Sequence, residues 1–257
     1  MKLVTDGWAA LRGYTPARVG LGRTGVSLPT ARHLELQEAL ALAREAVREE
    51  FNAEALAGEL RVLGIESVEC KSAAPDRGIY LRRPDLGRRL SSESRLRLQS
   101  LAHDPFDLAL VVADGLSAAA SRLHASALLS ALRELLSSTS WQFSPAVLVH
   151  QGRVAVGDEV AEILGARAVV VFIGERPGLS STDSLGAYVT WAPRVGRRDS
   201  ERNCISNIRT AGMSTANAAR TLASMLGAAR EHQLSGVALS RMLITAPTPR
   251  ALPSKGG

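Results

Sequence analysis

Six consecutive apolar residues, Ala168-Val169-Val170-Val171-Phe172-Ile173, constrain this chain more than any other feature. A run with no polar alternation has no solvent side, so it predicts a strand buried on both faces. Such a strand needs helices above and below it, as in a layered α/β sheet. The chemistry then changes abruptly, to Gly174, Glu175, Arg176, Pro177-Gly178, Leu179 and Ser180-Ser181. In open α/β sheets, ligands bind outside the carboxyl ends of strands. The segment has the position and the functional groups of a ligand loop, and on local chemistry alone it reads equally well as a solvated turn.

The pattern on either side alternates from about Phe106. Leu108–Ala113 reads as a strand ending at Asp114-Gly115, and Ser117–Leu136 as an Ala- and Leu-rich helix. Val147–Val149 is a strand that Val154–Val156 either extends or follows. Asp158 is expected to cap a helix through Ile163-Leu164, with Gly165 at its end. Leu185–Trp191 alternates as a further strand, Ser214 caps a long helix to about Arg230, and Gly236–Leu239 reads as a last strand. Residues before about 105 read as helices and loops. Leu36, Leu40, Ala43, Val47 and Phe51 recur at helical spacing after Pro29-Thr30. A shorter helix spans Ala53–Leu63, Ile79-Tyr80-Leu81 forms a brief strand, and another helix crosses Ser92–Leu101. The expected fold class is α/β. A mainly helical N-terminal region (1–105) precedes a Rossmann-like, largely parallel sheet flanked by helices (106–245), and a flexible tail (246–257) carries three prolines.

Composition narrows the function classes. No apolar stretch approaches the ~18 residues of a membrane span, and Met1–Arg12 has no secretory apolar region. The expectation is an intracellular protein with no membrane partner. Cys70 and Cys204 are far apart, which argues against a structural disulfide or a zinc site. The net charge is +6, carried almost wholly by arginine, since lysine occurs only at Lys2, Lys71 and Lys255. Arginine suits carboxylate and phosphate, so a basic nucleic-acid-binding module is the alternative reading. The arginines form no continuous basic helix, and aromatic residues are scarce, so no nucleic-acid partner is expected. No GxSxG supports a hydrolase nucleophile. Gly20-Leu21-Gly22-Arg23-Thr24-Gly25 has GxGxxG spacing but follows no strand, so it is not read as a dinucleotide site.

Two further loops carry functional groups. Asp114, at a strand end, can face a ligand or cap the next helix, and the cap is favoured. Asp199–Arg209 is a polar loop around Cys204, and a thiol between Asn203 and Ile205 is expected to be packed.

Six segments in order resemble the small (light) subunit of ethanolamine ammonia-lyase. They are Thr15–Arg18 with Gly22–Gly25, Tyr80–Leu90, Ala113–Ser117, Gly152-Arg153-Val154, Gly174–Leu179 and Cys204–Ile208. The resemblance implies a lyase that uses adenosylcobalamin to convert ethanolamine to acetaldehyde and ammonia by radical chemistry. It implies a large subunit that holds the substrate, in a hetero-oligomer with this chain. Residues 1–105 would serve large-subunit docking, and 106–245 would contact the cobalamin. By motif, Val154, Glu175 and Cys204 are the cofactor-binding residues, with no catalytic residue and no metal ligand in this chain. The loops of Asp114 and Arg176 are expected to line the same site. Arg82, Arg83, Arg88 and Arg89 either face acidic surface on the large subunit or are solvated. No Asp-x-His-x-x-Gly occurs, consistent with a cobalamin that keeps its own base. Some family members carry a long N-terminal address for a bacterial microcompartment. Here the matching region begins by about residue 15, so a cytoplasmic location is expected at least as strongly.

Overall fold

In the computed structural model, which describes residues 8–15, 17–102 and 105–245, the apolar run is one strand with every residue buried. Among the described residues six strands form a single sheet: β1 (Ser67–Lys71), β2 (Leu108–Ala113), β3 (Phe143–His150), β4 (Ala168–Gly174), β5 (Leu185–Trp191) and β6 (Arg202–Ile208). Their spatial order is β1-β3-β2-β4-β5-β6. The first four are parallel. β5 and β6 continue the sheet in antiparallel sense. The helices are α1 (Thr30–Arg48), α2 (Ala53–Val62), α3 (Arg77–Arg82), α4 (Ser92–Gln99), α5 (Ala118–Leu136), α6 (Val156–Ile163), α7 (Thr215–His232) and α8 (Gly236–Thr245). None of the described helices is long and apolar enough to cross a membrane.

Strand alternation divides the core into two layers. Leu108, Leu110 and Val112 of β2 join α2, α5 and α7 residues such as Leu56, Leu128 and Leu222. Ala109, Val111 and Ala113 face the other way, onto Leu98 of α4 and Val160 of α6. Five of the described helices begin on side-chain caps, that of α3 being Asp76. Asn52, Ser91, Ser117 and Ser214 accept from Ala55, Ser94, Ala120 and Asn217 amides. These caps satisfy donors that a helix leaves orphaned at its start.

Several expectations are overturned. Ile79-Tyr80-Leu81 is not a strand but part of α3, capped by Asp76, which accepts from Ile79 N at 2.8 Å. Three apolar residues are too few to show a period, and the local cap decides. Gly236–Leu239 begins α8 rather than a strand. Asn203 fixes this start by accepting from Gly236 N (2.6 Å) and donating to Gly236 O and Ser240 Oγ. Asp199–Arg209 is not a loop: Asp199–Glu201 is one 3-10 turn and Arg202–Ile208 is β6, with Arg202, Asn203, Ile205 and Ile208 buried and Cys204, Ser206 and Asn207 exposed. Val154–Val156 extends no strand: it is a turn leading into α6. The strand β1 was not anticipated. It draws residues before 105 into the sheet by pairing with β3. The tail 246–257 lies outside the described residues, as does part of the Thr15–Arg18 motif.

Asp158 is no helix cap. It lies in the first turn of α6 beside Glu159, and both carboxylates are buried. Asp158 holds Arg202 of β6 through two hydrogen bonds of 2.6 Å, with the paired side chains 1% and 2% exposed. Glu159 accepts from Arg95 of α4 (2.9 and 2.7 Å) and from Leu90 N (2.8 Å), and pairs with Arg89. Burial disfavours the Arg202 charge, but Asp158 outweighs it and pushes the guanidinium up.

Removing one partner of such a pair strands the other charge in the core. Asp158→Ala is expected to cost about 3–5 kcal/mol, read as a lower urea midpoint. The double variant Asp158→Leu/Arg202→Met should recover most of that loss. Equal losses in the single and double variants would show that packing, not charge, is at stake.

Candidate functional site

The helix after β2 packs on one face of the sheet and the helix after β3 on the other. Because β2 and β3 are neighbours, the chain parts between their carboxyl ends and leaves a crevice. This is the topological switch point at which open α/β sheets place ligands. A groove of about 410 Å³ opens there. Its walls include Gly115 and Leu116 after β2, Arg153 and Val154 after β3, and Glu175 and Arg176 after β4. Tyr80, Tyr188 and Ser206 close its sides.

Two loops of this groove are locked together. Leu116 N donates to Gly174 O at 2.9 Å, and Ser117 Oγ donates to Thr182 O at 2.6 Å. A Cβ at Gly174 would lie 1.9 Å from Ser117 O, and one at Gly115, where φ is +56°, would lie 2.2 Å from Gly174 O. Only glycine permits this approach.

Behind the groove, Asp114 holds its floor. Its Oδ1 accepts from Gly152 N (3.1 Å) and its Oδ2 from Arg77 Nη1 (3.2 Å). Burial pushes the Asp114 carboxyl up, against the pull of Arg77 and the Gln151 and Gly152 backbone. Tyr80 donates to Gly152 O at 3.1 Å, and its ring lies between the guanidinium groups of Arg77 (4.8 Å) and Arg153 (4.3 Å). These contacts fix the turn that carries Val154. Gln151, at the start of that turn, has φ +55°, and Asn207, beside Glu175, has φ +61°. Non-glycine residues in this region are strained and concentrate at ligand sites.

Glu175 is oriented by three donors. Ser184 Oγ (2.5 Å) and Asn207 N (3.1 Å) reach Oε2, and Ser206 Oγ reaches Oε1. Val154 and Glu175 therefore line one groove. Cys204 stands one step outside it, directly opposite Tyr188 across the β5–β6 pair. The expectation that Cys204 is packed is wrong: it is exposed. Its neighbours Asn203 and Ile205 are buried toward α8 and the larger core layer, and strand alternation turns the thiol to the opposite face. Partial desolvation pushes that thiol up, with Glu175 adding to the effect and Tyr188 opposing it. Arg176 lines the groove, whereas Asp114 lies beneath it and leaves the helix cap to Ser117.

Comparison with known proteins decides the family. The pattern of the ethanolamine ammonia-lyase light chain family matches residues 5–240. The chain belongs to this family. It is 55% identical over 237 residues to an ethanolamine ammonia-lyase small subunit of Xanthomonas campestris pv. campestris, covering 91% of this chain and 87% of that one. Against the small subunit of Pseudomonas syringae pv. tomato it is 53% identical, covering 90% and 82%. Against that of Azotobacter vinelandii it is 54% identical, covering 90% and 87%.

Within this light chain, sequence reasoning missed Tyr80, Arg153, Tyr188 and Ser206 as walls. Arg153 lay inside the Gly-Arg-Val segment already singled out. Tyr80 and Ser206 likewise lay inside the Tyr80–Leu90 and Cys204–Ile208 segments, and Tyr188 was detectable only once β5 and β6 were paired in register. Of the arginines assigned to docking, Arg83 pairs with its own Asp85 and Arg89 with Glu159, while Arg82 donates to Gly78 O.

Cys70 is buried, and burial pushes its thiol up to about 11. At neutral pH a thiol reagent should therefore find a single, slow-reacting group in the folded chain, Cys204. Cys70 should appear only in concentrated urea. Two reactive thiols in the folded chain would contradict this environment.

Proposed function

We propose that this chain is the small subunit of an adenosylcobalamin-dependent ethanolamine ammonia-lyase and that its groove holds part of the cofactor. The observation that carries the reading is the convergence of Val154 and Glu175 on one groove at the switch point, with Cys204 on the adjoining sheet face. The donor set fits a corrinoid. A corrin has an apolar ring and an amide-rich rim that both donates and accepts. Val154 offers apolar contact, Glu175 accepts amide donors, and Arg176 donates to amide carbonyls. A corrinoid is larger than a groove of about 410 Å³, so the groove takes one edge of it and a partner covers the rest.

When bound, adenosylcobalamin supplies cobalt–carbon homolysis and with it hydrogen abstraction from ethanolamine. The residues of this chain position and shield. Ser184, Ser206 and the Asn207 amide hold Glu175 against reorientation. Tyr80 and Asp114 hold the turn of Val154. The substrate chemistry belongs to the large subunit. Docking of that subunit is supported by α1, whose side chains are mostly not buried: Ala39 and Ala46 are buried, while Leu34 and Leu42 are exposed.

The purified chain should produce no acetaldehyde from ethanolamine. Activity should appear on adding the large subunit and adenosylcobalamin. The combined Val154→Ala, Glu175→Ala and Cys204→Ala variant should assemble with the large subunit but bind the cofactor more weakly, by about ten-fold or more. The cofactor should also slow labelling of Cys204 in the complex. Undiminished cofactor affinity in the triple variant would refute the site.

A further inference from the structure

The groove does not end at Arg153. Arg153 and Val154 also line a second cavity of about 480 Å³, between the Pro84–Arg88 segment, the turn into α6 and the loop before β6. Four arginines reach it, Arg88, Arg153, Arg197 and Arg198, against one carboxylate, Asp199. Their roles differ. Arg197 is spent on the chain itself: it pairs with Glu201 and donates to Ala192 O at 3.0 and 2.7 Å. Among the described residues, the guanidinium groups of Arg88 and Arg198 find no hydrogen-bond acceptor or ion-pair partner. Arg153 stacks on Tyr80, and its Nε is sealed from solvent with no acceptor.

Three backbone amides at the start of α6 are already engaged. The amides of Val156, Gly157 and Asp158 donate to Arg153, Val154 and Ala155 carbonyls. The Asp158 and Glu159 carboxylates turn away into their own arginine pairs. What remains along the cavity is a set of three arginines, Arg88, Arg153 and Arg198, without a carboxylate partner. Planar forks of this kind match the oxygens of phosphate. Arg88 and Arg198 are exposed and Arg153 is part-buried, whereas the part-buried Arg77 and Arg95 have carboxylates as partners.

We propose that this cavity takes the phosphodiester of the corrinoid whose edge lies in the adjoining groove, with Arg88, Arg153 and Arg198 as its donors. This rests on the cofactor reading of the groove and divides the ligand between two chemistries. The uncharged amide rim meets the mixed polar wall of Glu175, Tyr188 and Ser206. The single anionic group of the nucleotide tail meets the arginines.

The test compares cobalamin with cobinamide, which lacks the nucleotide tail and its phosphodiester. Both are titrated against the assembled complex of small and large subunits, with affinity read by equilibrium dialysis. Arg88→Ala/Arg198→Ala is expected to weaken cobalamin by about ten-fold or more and to leave cobinamide within about two-fold. Arg153 is left intact because its stacking holds the turn. Inorganic phosphate should compete with cobalamin and not with cobinamide. Equal losses for both corrinoids, no loss for either, or failure of the arginine variant to assemble with the large subunit would each overturn the proposal. Glu175→Ala separates the two readings, since it should weaken both corrinoids alike. If it weakens neither, the groove assignment falls and this proposal falls with it. If it weakens both while the arginine variant weakens neither, only the phosphodiester assignment falls.

Discussion

Two adjacent buried carboxylates in the first turn of α6 organise this molecule. Asp158 ties the helix to β6 at one edge of the sheet through Arg202. Glu159 ties the same turn to α4 and Leu90 through Arg95 and a backbone amide. Taking these charges out of water costs several kcal/mol each, and the pairing does little more than offset it. What the arrangement yields is position. Two segments distant in sequence, one before residue 105 and one after 200, are registered against a single helical turn. That turn immediately follows Arg153 and Val154, so the groove wall inherits its geometry from the pair.

The opposite wall depends on close backbone approach. Gly115 and Gly174 bring the loops after β2 and β4 within hydrogen-bond distance of each other. Side chains there would push the loops apart and move Glu175 away from Ser184, Ser206 and Asn207. Rigid walls of this kind favour a site whose role is to hold a group in place, since few of its contacts can relax.

The central strands were legible in the sequence because continuous apolar runs have few other places to go. The Ser117 and Ser214 helix starts were legible for a related reason: a cap is a local bond. What was hidden depends on partners far away in sequence. β1, Ser-Val-Glu-Cys-Lys, has one buried side chain and becomes a strand only because β3 offers a parallel edge. Asp114 and Asp158 look like caps until Arg77 and Arg202 are brought beside them. Val154 and Glu175, singled out from short segments with their neighbours intact, do line one groove. Tyr188 was not singled out, because what it lines exists only after β2, β3 and β4 end at the same level.

The burial of β5 and β6 explains why the site is open. On one face Ala187, Val189, Ile205 and Ile208 join the larger core layer with α7. On the other, α6 lies over β2 and β4 and reaches β6 only at the Asp158–Arg202 pair, leaving Tyr188 half-buried and Cys204 exposed. A sheet face that ends in a phenol, a thiol and a hydroxyl beside a carboxylate is too polar to demand burial and too structured to be mere surface. Its openness favours a ligand laid across the sheet rather than enclosed by it. Such a ligand needs a second wall, and the half-open groove therefore argues for a composite site as strongly as the exposed leucines of α1 argue for a partner.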